Sequence, residues 1–174
     1  MKSVLISIRP QWCEKIVNRQ KTIEVRKSAP KETPFKVYIY ETKGATETPW
    51  VDEDGHYIYK GKGQVIGEFI CDKVDEYAYD YCDGVDIDDD TILDTAIDRE
   101  DINIYAKGKT LYGWHISDLK VYDKPKELSE FRIPCKTSCR NCKKPLYYDC
   151  WREENGIKVV TRPPQSWCYV ESEQ

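Results

Sequence analysis

Lys21-Thr22-Ile23-Glu24-Val25-Arg26 alternates strictly between polar and apolar residues from Thr22 onward. Successive side chains of a strand point to opposite faces. The stretch therefore reads as a strand with Ile23 and Val25 on one face and Thr22, Glu24 and Arg26 on the other, with Lys21 at the entering turn. One face offers a point cation, a carboxylate and a planar guanidinium. Arginine suits bidentate recognition of a phosphate or a base carbonyl, and lysine acts there as a point charge. If the face is catalytic, a desolvated Lys21 is the candidate base or nucleophile and Glu24 the proton carrier. A surface Glu24–Arg26 pair with solvated neighbours is the plainer alternative.

Upstream, Val4-Leu5-Ile6-Ser7-Ile8 is a short apolar, β-branched run that reads as a buried strand. Arg9-Pro10 ends it, and Pro10 fits the first turn of a helix, where its missing N–H costs nothing. Trp12 and Ile16 follow at helical spacing, so residues 11–19 read as a short helix. Downstream, Phe35 to Glu41 alternates again, with Val37 and Ile39 inward and Lys36, Tyr38 and Tyr40 opposite. Residues 42–63 read as a long hairpin loop. Gln64 to Val74 reads as one strand, with Gly67 at a bulge or bend. A short helix over Thr91 to Arg99, a β pattern from Leu111 to Tyr122, a helical turn near residues 124–131 and a last strand in Gln165–Glu171 complete the expected elements. The fold class is α+β: a small, partly closed β-barrel with short covering helices.

The chain has 174 residues, enough for a single domain over 1–174. With 40% hydrophobic and 33% charged residues it can bury one core and stay soluble. No apolar run approaches the ~20 residues of a membrane span, and Val4–Ile8 is too short for a signal-peptide core. A cytoplasmic location with reduced thiols is expected.

The net charge of −4 is unevenly spread. Residues 72–101 hold 13 Asp or Glu against Lys73 and Arg99, a net of −11, so the remainder carries +7. This acidic insert is either a solvated loop and helix or a segment standing apart from a basic polyanion site. It is also a candidate surface for a protein partner. Asp86-Ile87-Asp88-Asp89-Asp90 lacks the glycine and distal glutamate of an EF-hand loop.

Cys135, Cys139, Cys142 and Cys150 form C-x3-C-x2-C-x7-C. Four thiols in so short a stretch of a reduced chain read as a structural zinc site before a disulfide pair. Reduced structural thiols, redox chemistry and an iron–sulfur cluster are the alternatives. Four thiolates on Zn²⁺ leave −2, which Lys136, Arg140, Lys143 and Lys144 would offset. The Cys-rich segment 135–150 is thus expected as a zinc-knuckle-like insertion, with Cys168 able to replace one ligand. Cys13, Cys71 and Cys82 are expected in or near the core.

Ile6-Ser7-Ile8-Arg9-Pro10-Gln11-Trp12, Glu14-Lys15-Ile16 and Gln20-Lys21-Thr22-Ile23-Glu24-Val25-Arg26 together resemble the opening of the ASCH domain family, with Gln20 at a glycine position. Val65-Ile66-Gly67-Glu68-Phe69 resembles the family's central strand. His115-Ile116-Ser117-Asp118-Leu119, Lys124–Phe131 and Pro164–Glu171 resemble a prophage-associated bacterial subgroup. The resemblance implies a PUA-like β-barrel whose cleft is lined by the Lys-Thr-x-Glu-x-Arg strand, with RNA or a modified nucleoside as ligand. Some relatives are 4-acetylcytidine amidohydrolases that use a lysine, a threonine three positions later and a downstream glutamate. Lys21 matches the lysine, and Glu24 stands at the threonine position.

The expected function is binding of RNA or a modified nucleotide by Lys21, Thr22, Glu24 and Arg26, with Trp12 and Arg9 added by their place in the motif. Trp114 and Trp167 are further candidates for stacking on a base. The alternatives are an amidohydrolase or ribonuclease acting through Lys21 and Glu24, and a phage-derived protein-interaction module. His115 receives no role.

Overall fold

The computed structural model describes residues 1–44, 61–134 and 157–171. β1 (Lys2–Ile8) leads into α1 (Pro10–Val17), which starts with Pro10 at its first position. β2 (Ile23–Arg26) and β3 (Phe35–Glu41) follow. The expected strand 64–74 is two, β4 (Val65–Cys71) and β5 (Val74–Tyr77), because the chain turns from one sheet into another at Asp72-Lys73.

The acidic insert carries β6 (Tyr79–Asp80), β7 (Gly84–Val85) and α2 (Asp89–Thr95), and α3 (Arg99–Ala106) runs on from it. Asp88 caps α2 by accepting from the Thr91 N–H at 2.8 Å. Asp89 and Asp90 in the first turn of α2, and Glu100 and Asp101 in that of α3, complement the positive ends of the helix dipoles. The acidic run is thus two helix starts. The expected single helix ends at Ala96, in the left-handed region at φ 54°, with no glycine there to signal it.

The chain continues as β8 (Leu111–His115), β9 (Ser117–Lys126), a 3₁₀ turn (Leu128–Glu130), β10 (Arg132–Pro134), β11 (Ile157–Val159) and β12 (Trp167–Val170).

β12-β1-β3-β4-β9 form a mixed sheet, with β1 and β3 parallel and the other pairs antiparallel. β2-β8-β5 form a second, antiparallel sheet. Among the described residues no ladder joins the two, so the expected barrel does not close. The chain instead changes sheet at two corners, Asp72-Lys73 and Ile116, which the bond from His115 N–H to the Lys73 carbonyl holds together. Gly67 does sit at an irregularity. Ile39 pairs with Gly67 and Tyr40 with Val65, leaving Ile66 as the extra residue. A Cβ on Gly67 would lie 2.5 Å from the Lys120 carbonyl oxygen.

The main sheet is covered on both faces. Val4, Ile6, Ile16, Phe35, Val37, Phe69 and Trp114 share one cluster. Leu5, Tyr38, Tyr40, Phe131, Val160 and Val170 share the other. Tyr38 and Tyr40 point away from Val37 and Ile39 as expected, yet they are buried, because Phe131 and Val160 lie over them. A third cluster, with Val25, Tyr77, Ile102 and Leu111, seats α3 on the second sheet. Cys13 and Cys71 are buried as expected; Cys82 is exposed.

Candidate functional site

β2 places its side chains as the alternation predicts. Ile23 and Val25 are buried on one side, and Val25 meets the acidic segment. Glu24 and Arg26 face the main sheet, where the second guanidinium nitrogen of Arg26 donates to the Ser7 carbonyl at 2.7 Å and reaches Glu24 Oε1 at 2.8 Å. Glu24 Oε2 lies 3.3 Å from Lys21 Nζ. One buried carboxylate thus sits between two cations, which is the condition under which a charge survives removal from water. The surface pair of the plainer reading is excluded by burial: the Glu24 side chain is 7% exposed and that of Lys21 0%.

Lys21 Nζ also donates to the Thr95 carbonyl at 2.7 Å and lies 5.5 Å from the centre of the Trp12 ring. Burial lowers its pKa, and the Glu24 carboxylate works against that shift. Arg26 Nε is buried and has no hydrogen-bond partner.

In front of this trio is a cleft of about 740 Å³. The main sheet and α1 contribute Ser7, Arg9, Gln11 and Trp12; β2 contributes Glu24 and Arg26. The acidic segment and its continuation supply Ile97, Asp101, Ile104, Tyr105 and Lys107. Lys27 stands 4.9 Å from the Tyr105 ring centre. Burial raises the Tyr105 phenol, and the nearby Arg26 charge opposes the rise.

Of the six expected ligand-binding residues, the structure brings Arg9, Trp12, Glu24 and Arg26 to this cleft. Lys21 lies behind its wall. Thr22 is exposed elsewhere and donates to Asp94 Oδ1 at 2.8 Å. The acidic segment does not stand apart from the site, since residues on and just beyond it build a wall. Trp114 is wholly buried in the core, edge-on to Phe35 at 5.2 Å. Trp167 packs against Trp114 and donates to Ser28 Oγ at 3.1 Å. Neither lines the cleft. His115 pairs with Asp75 at 2.6 Å, away from it.

Tyr105, Lys107 and Asp101 were not foreseeable as site residues. They reach β2 across some eighty positions of sequence, and no local pattern encodes that contact. Cys135, Cys139, Cys142 and Cys150 lie outside the described residues. Among the described residues no cluster of His, Cys, Asp or Glu is arranged to hold a metal.

No known protein-family profile matches the chain, and no curated protein matches it in sequence. Among solved structures, the ASCH protein of Zymomonas mobilis superposes with a TM-score of 0.55 at 16% identity, covering 98% of this chain and 88% of that one. A serine-to-alanine mutant of the same protein gives 0.55 and 16%, covering 98% and 89%. The fold is that of an ASCH domain. This agrees with the fold that the motif resemblance implies. No helix among the described residues is long and apolar enough to cross a membrane.

Proposed function

We propose that this ASCH-fold chain belongs to the ASCH family, in its prophage-associated subgroup, and works in the cytoplasm as a module that binds RNA or a modified nucleotide in the Glu24–Arg26 cleft. The composition of the cleft carries the reading. Trp12 and Tyr105 offer aromatic faces for a base, and Arg9, Arg26, Lys27 and Lys107 outnumber Glu24 and Asp101. The volume suits a ligand of nucleotide size. A titration of single-stranded RNA against wild type and Arg9→Ala tests it. Binding that weakens with added salt, and a shallower salt slope in the variant, is expected. No binding at about 100 μM, the non-specific limit, removes the reading.

Burial of Lys21 beside Glu24 favours one second reading, hydrolysis of a modified nucleoside. Glu24, which lines the cleft, would take a proton from water. The water oxygen would add to the acetyl carbonyl of 4-acetylcytidine; as the bond from N4 to the acetyl carbon breaks, Glu24 would hand that proton to N4, giving cytidine and acetic acid, which ionises to acetate. Acetate release above background that Glu24→Gln abolishes supports it; equal rates with and without protein remove it.

We also propose a structural zinc on Cys135, Cys139, Cys142 and Cys150. Pairing of Pro134 with Ile157 supports it, since these two flanking residues lie side by side. Purified, chelator-free protein is expected to hold about one zinc per chain; a content far below one contradicts the site.

A further inference from the structure

α2 has no basic residue in its own last turn. The carbonyls of Asp94, Thr95 and Ala96 at its end, where a helix terminus carries partial negative charge, are met from outside. Thr22 N–H donates to the Asp94 carbonyl at 2.9 Å. Lys21 Nζ donates to the Thr95 carbonyl at 2.7 Å, and Lys15 Nζ to the Ala96 carbonyl at 3.0 Å. Thr22 Oγ1 adds a bond to the Asp94 carboxylate. The next residues along the chain, from Ile97 to Lys107, hold the cleft wall.

Of these external donors, Lys21 also touches the cleft's own carboxylate, Glu24. Its side chain is fully buried and absent from the cleft surface. Burying an ammonium is costly unless its hydrogen bonds are met. Both of its partners lie at the junction between β2 and the acidic segment.

We propose that Lys21 is a positioning residue that ties the acidic segment to the ligand cleft, holding Glu24 on one side and the end of α2 on the other. Docking of α2 and α3 and completion of the cleft wall are then one event. The acidic segment acts as a structural wall of the site, and Lys21 supports ligand binding without touching ligand. The inference rests on the cleft being the RNA site proposed above.

The test combines amide hydrogen exchange with RNA titration at several salt concentrations, on Lys21→Met and on a Lys15→Ala, Thr22→Val double variant. Both are compared with wild type. Amides of residues 89–107 are expected to exchange about tenfold faster in both variants, with β1 and β3 unchanged. RNA affinity is expected to fall about tenfold, while the slope of log affinity against log salt stays at the wild-type value, because no phosphate contact is lost. Unchanged exchange over 89–107 overturns the tie. Faster exchange with unaltered affinity overturns the coupling to the cleft. A slope shallower by about one in Lys21→Met marks a direct phosphate contact and also overturns it. If Lys21→Met does not fold, the double variant decides on the same readouts. Failure of wild type to bind RNA is a failure of the functional reading alone, and the exchange measurements still decide the tie.

Discussion

At the residue scale, Glu24 is the centre of the site, because its carboxylate separates two cations in a place with little water. Removing one member of a buried ion pair leaves an uncompensated charge, at a cost of several kcal/mol. Glu24→Gln is therefore expected to lower unfolding stability by about 3 kcal/mol, measured by chemical denaturation, whereas a solvated surface pair would give under about 1 kcal/mol. Lys21 gives a pH signature of known sign. Burial lowers its folded pKa below the ordinary 10.5. Between the two values the unfolded chain binds more proton than the folded one, so stability rises with pH across that window. Subtracting the melting profile of Lys21→Met from that of wild type between pH 7 and 11 isolates the contribution. A difference that grows in favour of wild type with rising pH is expected; a flat or falling difference contradicts the burial of this amine.

At the element scale, local pattern carried most of the outline. β3 has the bounds read from its alternation, and α1 begins at Pro10. Ile23, Glu24, Val25 and Arg26 occupy the faces that period-two geometry assigns. Local pattern falls short where tertiary contact decides. The alternation in β3 was legible, but Phe131 and Val160, which bury its tyrosine face, come from about a hundred residues away. The division between β4 and β5 is a sheet change that two polar residues do not announce. Gly67 was legible as a bulge, and the space around it shows why glycine is needed. Its absent Cβ would meet a backbone oxygen, which cannot rotate away. Gly67→Ala is expected to destabilise by about 2 kcal/mol, in the range of overpacked sites, with a measurable fall in melting temperature. A change under about 0.5 kcal/mol, ordinary for a surface substitution, contradicts the described register of β4 and β9.

At the scale of the whole molecule, charge and topology act together. The chain is acidic overall, yet the strongly acidic segment spends several of its carboxylates at helix starts, and the cleft beside it has more cations than anions. The sequence made that segregation legible as numbers, but not as geometry. It was natural to set the acidic insert apart from a basic site, whereas folding brings it against β2 through Lys15, Lys21 and Thr22. The candidate site was legible on its β1, α1 and β2 side and illegible on its α3 side.

Entry of RNA into this cleft is tested by a fluorescence-anisotropy titration of a short single-stranded RNA with wild type and Trp12→Ala at about 50 and 200 mM salt. Binding by wild type that weakens roughly tenfold between the two salts is expected, as release of a few counterions requires, together with a loss of about 1–3 kcal/mol in Trp12→Ala, the cost of one lost base stack. Equal affinity in the two proteins, or no binding by either at the lower salt, contradicts it.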